Sequence, residues 1–183
     1  MTRPWTTLAS AFERRCLRWA VQQLGCTYVW AGKGDVRFDA QTGLRPWTAA
    51  EVRPGRRVYD CSGLVTCAVR ETVAVDVRGR YAASTLRDVT REWESSGLLH
   101  ASLRFYGRSG IDHVAFGFPS RGAWDDSVLV LEAAGAGSDA LTEQLGREKG
   151  ASVRYVDERR SDFVAAAPLW ALGVAVGAVP RPQ

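Results

Sequence analysis

Apolar positions repeat in two different rhythms along this chain, and the change of rhythm falls near its middle. In the first half they recur at helical spacing. Phe12, Cys16, Leu17, Ala20, Val21 and Leu24 predict an amphipathic helix over Ala11 to Leu24. Leu64, Val65, Ala68, Val69 and Thr72 predict a second helix that opens at Cys61 and runs to about Val73. Leu86, Val89 and Trp93 predict a third, over Thr85 to Glu94. In the second half the period shortens to two. Strands are expected at Ser102–Tyr106, His113–Phe118, Val128–Ala133, Ser152–Val156 and Asp162–Pro168. Helices first and strands later indicate an α+β domain with an antiparallel sheet. The segment from Ala31 to Arg57, rich in Gly, Pro and Arg, reads as one long loop, a length that is uncommon in a compact domain and often functional. Pro119 to Ser127 reads as an extended hairpin loop. The apolar stretch Phe163 to Val179 is broken by Pro168, Gly173 and Gly177, and reads as a buried strand followed by a loose tail. The chain is thus expected to be a single domain over residues 1–183, with its core at about 11–169 and a tail over 170–183.

The same pattern positions reactive side chains. Cys61 stands at a helix start, where unpaired backbone N–H groups and the helix dipole favour a negative charge and so suit a thiolate nucleophile. In the strand His113–Phe118, Val114, Phe116 and Phe118 share one face, while His113, Ala115 and Gly117 share the other. The imidazole therefore projects on a face of small neighbours, where the Cys61 helix is expected to pack, and His113 is a candidate general base. The other histidine, His100, sits at a helix-to-strand junction without such a phase. Glu132 interrupts an otherwise apolar strand; a carboxylate there needs a partner, and an imidazole N–H is one. Cys61, His113 and Glu132 form a candidate nucleophile, base and orienter in chain order. Failing Glu132, the third role would fall to Ser127, Asp125 or Asp126 in the hairpin loop.

Composition narrows the function classes. The chain has 183 residues, 46% hydrophobic and 24% charged, which is ordinary for a globular domain. A net charge of +4 is mildly basic, but the basic residues are scattered and not interleaved with aromatics, which argues against a nucleic-acid partner. An anionic polymer such as a bacterial cell wall would suit such a surface. Apolar runs between Met1 and Gly25 are broken by Glu13, Arg14, Arg15 and Arg18, so no signal peptide is read there, and no run is long enough for a membrane span. Synthesis in the cytoplasm is expected, with any extracellular target needing separate delivery. Four cysteines without a C-x-x-C, and two histidines, fit neither a disulfide scaffold nor a structural zinc site. Cys67 lies about 600° around the helix from Cys61 and points elsewhere.

Tyr28-Val29-Trp30-Ala31-Gly32-Lys33-Gly34, Asp60-Cys61-Ser62-Gly63-Leu64-Val65 and His113-Val114-Ala115-Phe116 together resemble the three signatures of the NlpC/P-sixty cell-wall cysteine peptidases. The resemblance covers about Ala11 to Leu169. It implies a papain-like α+β fold with the nucleophile at a helix N-terminus. It also implies hydrolysis of peptidoglycan stem peptides through a thioester at the bond between γ-D-glutamate and a diamino acid, with no metal or cofactor. By position it makes Cys61 the nucleophile, His113 the base and Glu132 the orienter. Tyr28 becomes the tyrosine beside the cysteine, and Asp60 and Ser62 line the substrate pocket, with Asp60 suited to a free amino group. The chain departs from the signatures in reading Trp-Ala-Gly for Trp-Gly-Gly, in lacking Pro-Gly-Asp before the histidine strand, and in its long insert from Lys33 to Arg57. A monomer acting on a stem peptide is expected, away from membranes and nucleic acid; a phage tail, a secretion system or an immunity protein would be the partners of a delivered enzyme. The same cysteine and histidine would also serve an acyltransferase, a deamidase or an antibacterial toxin.

Overall fold

The structure, a computed structural model, describes residues 4–94, 101–118, 129–157 and 161–182. His100, the loop over 119–127 with Asp125, Asp126 and Ser127, and Val128 lie outside the described residues. Among the described residues, two antiparallel sheets and five α-helices make an α+β fold, as the periodicities indicate.

Helix α1 spans Pro4–Val21, beginning earlier than expected and ending before Leu24, which lies exposed in a turn that closes through Gly25 at φ 81°. Its stripe of Phe12, Cys16 and Ala20 is buried. Helix α2 is Cys61–Val73, and α3 is Ala83–Thr90, continued by a 3-10 turn over Arg91–Trp93. Trp93 packs edge-on to Trp170 at the end of this element, with ring centroids 5.5 Å apart, outside the main core.

The stretch from Ala31 to Arg57 is not one loop. It holds β1 (Gly32–Gly34), β2 (Val36–Asp39) and β3 (Gly43–Pro46), and β4 (Val58–Tyr59) joins them in a sheet of order β3-β2-β1-β4. These strands are too short to show a period of two. Their turns are set by chemistry instead: Gly34 takes φ 81° between β1 and β2, and the Asp39 carboxylate accepts the N–H groups of Gln41 and Thr42 at 2.9 Å between β2 and β3. Glu51 then ties the sheet to the segment after it, accepting from Arg37, Arg45 and Thr48.

The larger sheet contains β5 (Ser102–Tyr106), β6 (His113–Phe118), β7 (Leu129–Ala134), β8 (Ser152–Asp157) and β9 (Phe163–Pro168), in the order β8-β7-β6-β5-β9. A short helix absent from the sequence expectation, α4 (Glu143–Glu148), precedes β8; the Thr142 hydroxyl caps it by accepting the Leu145 N–H at 3.2 Å.

Residues 170–183 do not form a loose tail. Helix α5 (Leu169–Ala175) starts directly after Pro168 and buries Leu169, Ala171 and Leu172. Gly173, expected to break structure, is a packing residue: a Cβ there would stand 2.7 Å from Val179 and 3.0 Å from the Phe12 ring. The main core joins α1, α2 and α5 to one face of the large sheet, where Leu103, Phe105, Val114, Phe116 and Leu131 lie. Helix α2 therefore covers the face of large apolar residues and not the face of His113, contrary to expectation. Burial of that apolar face decides the packing. The His113 face is filled by side chains of neighbouring strands. Ser102 and Arg104 occupy the space over Gly117, and the Arg104 guanidinium lies 4.4 Å from the Phe163 ring centroid.

Candidate active site

The start of α2 is built by Asp60. In extended conformation (φ −87°, ψ 179°), it caps the helix, its Oδ1 accepting the Gly63 N–H at 2.5 Å. Cys61 is the first helical residue, so its N–H has no partner within the helix. Strand β1 presses against this turn: Asp60 N–H donates to the Gly32 carbonyl at 3.0 Å, and a Cβ on Gly63 would fall 1.9 Å from that same oxygen. Gly63 is thus the residue that lets β1 and α2 meet, and the meeting brings the Tyr28–Gly34 segment to the cysteine.

Cys61 reaches past the end of α2 to the first residues of β6. Its Sγ lies 4.0 Å from the Asp112 carbonyl, and its hydrogen bond with the His113 side chain acts on the imidazole. On the other side of the ring, His113 Nε2 lies 3.0 Å from Glu132 Oε2, and both side chains are buried. Tyr106, paired with His113 across β5 and β6, sets its ring 5.6 Å from the imidazole. Arg154, paired with Glu132 across β7 and β8, brings its guanidinium to 3.4 Å from Oε1. Burial lowers the His113 pKa, but the hydrogen bonds to Cys61 and Glu132 outweigh it and carry the pKa up to about 9. At neutral pH the imidazole is therefore protonated. The structure brings Cys61, His113 and Glu132 together: Glu132 meets the imidazole from a shared sheet face, and Cys61 reaches it where a helix end meets a strand end, not by packing of α2 on the His113 face.

Tyr28 is buried and lines a cleft of about 630 Å³ with Trp30, Cys61, Asp112 and His113. Burial raises its hydroxyl pKa, and nearby Cys61 and Asp60 raise it further, so the phenol keeps its proton. A second cleft of about 690 Å³ also reaches Cys61 and is lined by Trp30, Lys33, Asp60, Ser62 and Arg80. Trp30, 44% exposed, borders both.

Asp60, which the resemblance makes suited to a free amino group, is already engaged by a cation. The Lys33 ammonium donates to its Oδ1 at 2.8 Å, to its Oδ2 at 2.9 Å and to Ser62 Oγ at 2.7 Å, and the Ser62 hydroxyl donates to Oδ1 at 3.0 Å. The carboxylate recognises a cation, but one supplied by the chain itself.

Sequence reasoning missed Lys33, Tyr106 and Arg154 as members of the site. A lysine between two glycines that becomes buried must find an anion, and Asp60 is the motif acid it could meet; that signal was present. Tyr106 and Arg154 follow only from strand register. The remaining cysteines sit elsewhere as free thiols: burial pushes Cys16 and Cys67 up to about 12, and also raises Cys26. Among the described residues no cluster of three or more His, Cys, Asp or Glu could hold a metal ion, and no helix is long and apolar enough to cross a membrane.

No family model matches the sequence, and no curated protein does. Solved structures do resemble the fold. RipB, a peptidoglycan hydrolase of Mycobacterium tuberculosis, aligns over 88% of this chain and 66% of its own, with a TM-score of 0.54 and 19% identity. RipD of the same organism, described as a non-catalytic NlpC/p60 domain protein adapted to peptidoglycan binding, aligns over 85% of this chain and 95% of its own, with a TM-score of 0.51 and 15% identity. The P60 domain of an M. avium paratuberculosis antigen aligns over 88% and 96%, with a TM-score of 0.55 and 15% identity. This chain thus spans slightly less than two thirds of RipB and nearly all of the two other domains.

Proposed function

We propose that this chain, which has the fold of NlpC/p60 domains, is a cysteine peptidase that hydrolyses peptidoglycan stem peptides at the γ-D-glutamyl–diamino acid bond. The observation that carries the reading is the buried line Cys61–His113–Glu132 opening onto two clefts that meet at the thiol. Fold alone would not support catalysis, since RipD shares it and is described as non-catalytic. The structure of the resuscitation promoting factor interacting protein RipA has been solved in forms mutated at a cysteine, a histidine and a glutamate, and the same three residue types stand together here.

In this reading the proton of the Cys61–His113 pair rests on the imidazole before attack, as the raised His113 pKa favours, and the Cys61 sulfur attacks the amide carbonyl. The oxyanion is stabilised by the Cys61 N–H at the helix start, with the protonated Tyr28 phenol as the second donor. His113 then protonates the leaving amine, and water, deprotonated by the imidazole, hydrolyses the thioester. Glu132 fixes the ring and stabilises its charge, and Arg154 steadies Glu132 from the next strand.

Mass spectrometry of purified peptidoglycan after digestion tests this reading. Fragments ending in γ-D-glutamate, matched by fragments with a newly free amine on the diamino acid, are expected. Unchanged wall, or cleavage confined to glycan bonds, would contradict it.

A further inference from the structure

The Lys33–Asp60–Ser62 cluster sits one residue from the nucleophile, in the wall of the cleft. Lys33 has a side-chain exposure of 5%, and its ammonium donates to both Asp60 oxygens and to Ser62 Oγ. Asp60 Oδ1 already accepts three donors, from Lys33, Ser62 and the Gly63 N–H. That oxygen has no capacity left for an ammonium from a substrate, and an arriving ammonium would face the Lys33 charge in a setting poor in water. Of the other charges in this cleft, the Asp39 carboxylate is turned to the backbone of its own turn, Arg37 is held by Glu51, and Arg80 and Asp112, of opposite sign, stand exposed on the rim. Lys33 is itself fixed by the fold: β1 is locked onto the first turn of α2 by the Gly32–Gly63 contact, and β1 pairs Lys33 with Tyr59, next to Asp60.

We propose that Lys33 is a specificity-determining residue, which closes the pocket beside Cys61 to a free amino terminus and selects peptides whose amine at that position is acylated. This rests on the stem-peptide hydrolase reading and narrows its substrate to interior positions of longer peptides, or to peptides still joined by an amide to the rest of the wall.

Binding of two peptides to the Cys61→Ala protein, followed by calorimetry, tests this. Both carry L-Ala-γ-D-Glu-diamino acid; one has a free amine and the other is N-acetylated. The acetylated peptide is expected to bind at least tenfold more tightly, and wild type to hydrolyse it with a correspondingly higher kcat/KM. Lys33→Met, which releases the Asp60 carboxylate, should move the ratio at least tenfold toward the free amine. Equal binding, tighter binding of the free amine, or binding of neither peptide to Cys61→Ala would overturn the inference, whether or not Lys33→Met folds. A preserved binding preference with no cleavage of either peptide by wild type would overturn the hydrolase reading alone.

Discussion

His113 and Glu132 face one another at 3.0 Å across β6 and β7, on the side of the sheet that α2 leaves uncovered. The pair is thus held by strand register and side-chain contacts, independently of the helix that supplies the thiol. Its function should therefore be separable from that of Cys61. Glu132→Gln keeps the shape and removes the charge, so kcat/KM should fall by roughly tenfold to a thousandfold, less than for loss of the nucleophile. Glu132 helps raise the His113 pKa to about 9, so its neutralisation lowers that pKa and moves the alkaline limb of the pH–rate profile to lower pH. Stability changes in the matching sense. An imidazole whose folded pKa is raised contributes stability that is fully present below its unfolded value of about 6.5 and lost as pH rises through about 9. Between those pH values, the Tm of wild type should fall more steeply than that of Glu132→Gln. A rate and pH profile identical to wild type would remove Glu132 from the site.

Thiol chemistry should single out one cysteine of four. Cys16 and Cys67 are buried, with burial holding their pKa values near 12, and among the described residues no imidazole accompanies them. Alkylation of the native protein at neutral pH, read by peptide mapping, should label Cys61 first and leave Cys16 and Cys67 unmodified. His113→Ala should slow labelling of Cys61 and leave the other thiols as they were. Equal labelling of Cys61 and Cys67 would mean that the helix start and imidazole do not activate the thiol.

Much of this architecture was legible in the sequence wherever a periodic stripe met a side-chain requirement. The Cys61 helix was found from Leu64 to Thr72, and Glu132 was paired with His113 because a carboxylate among apolar strand residues needs a donor. The small sheet over residues 32–46 escaped because strands of three and four residues carry no period, and their turns depend on Gly34, Asp39 and Gly43 individually. The position of α2 on the sheet differs from the expected one because small neighbours of His113 offer a helix little apolar surface to bury. The larger apolar face of Val114 and Phe116 drew the helix, and Arg104 and Tyr106 took the remaining space. Lys33 is legible only once its burial is known, because its charge then requires the Asp60 carboxylate.

The C-terminal segment gives a separate check on the fold. Leu172 is fully buried between α1 and the sheet-side core, where a loose tail would have left it in water. Leu172→Ala should cost about 2–5 kcal/mol, measured by urea unfolding. A change within experimental error of zero would restore the reading of residues 170–183 as a tail.

The central claim is that Cys61 is the nucleophile of a hydrolytic site, and the hydrolysis rate of a stem peptide by Cys61→Ala tests it most directly. The substitution is small, lies at a helix start and leaves the Asp60 cap in place, so a circular dichroism melt should match wild type. The rate should fall by several orders of magnitude, on the order of 10⁶ in a comparable triad. Retention of more than about a few per cent of wild-type activity by a normally folded Cys61→Ala protein, far above the residual rate seen when such a nucleophile is lost, would contradict the account.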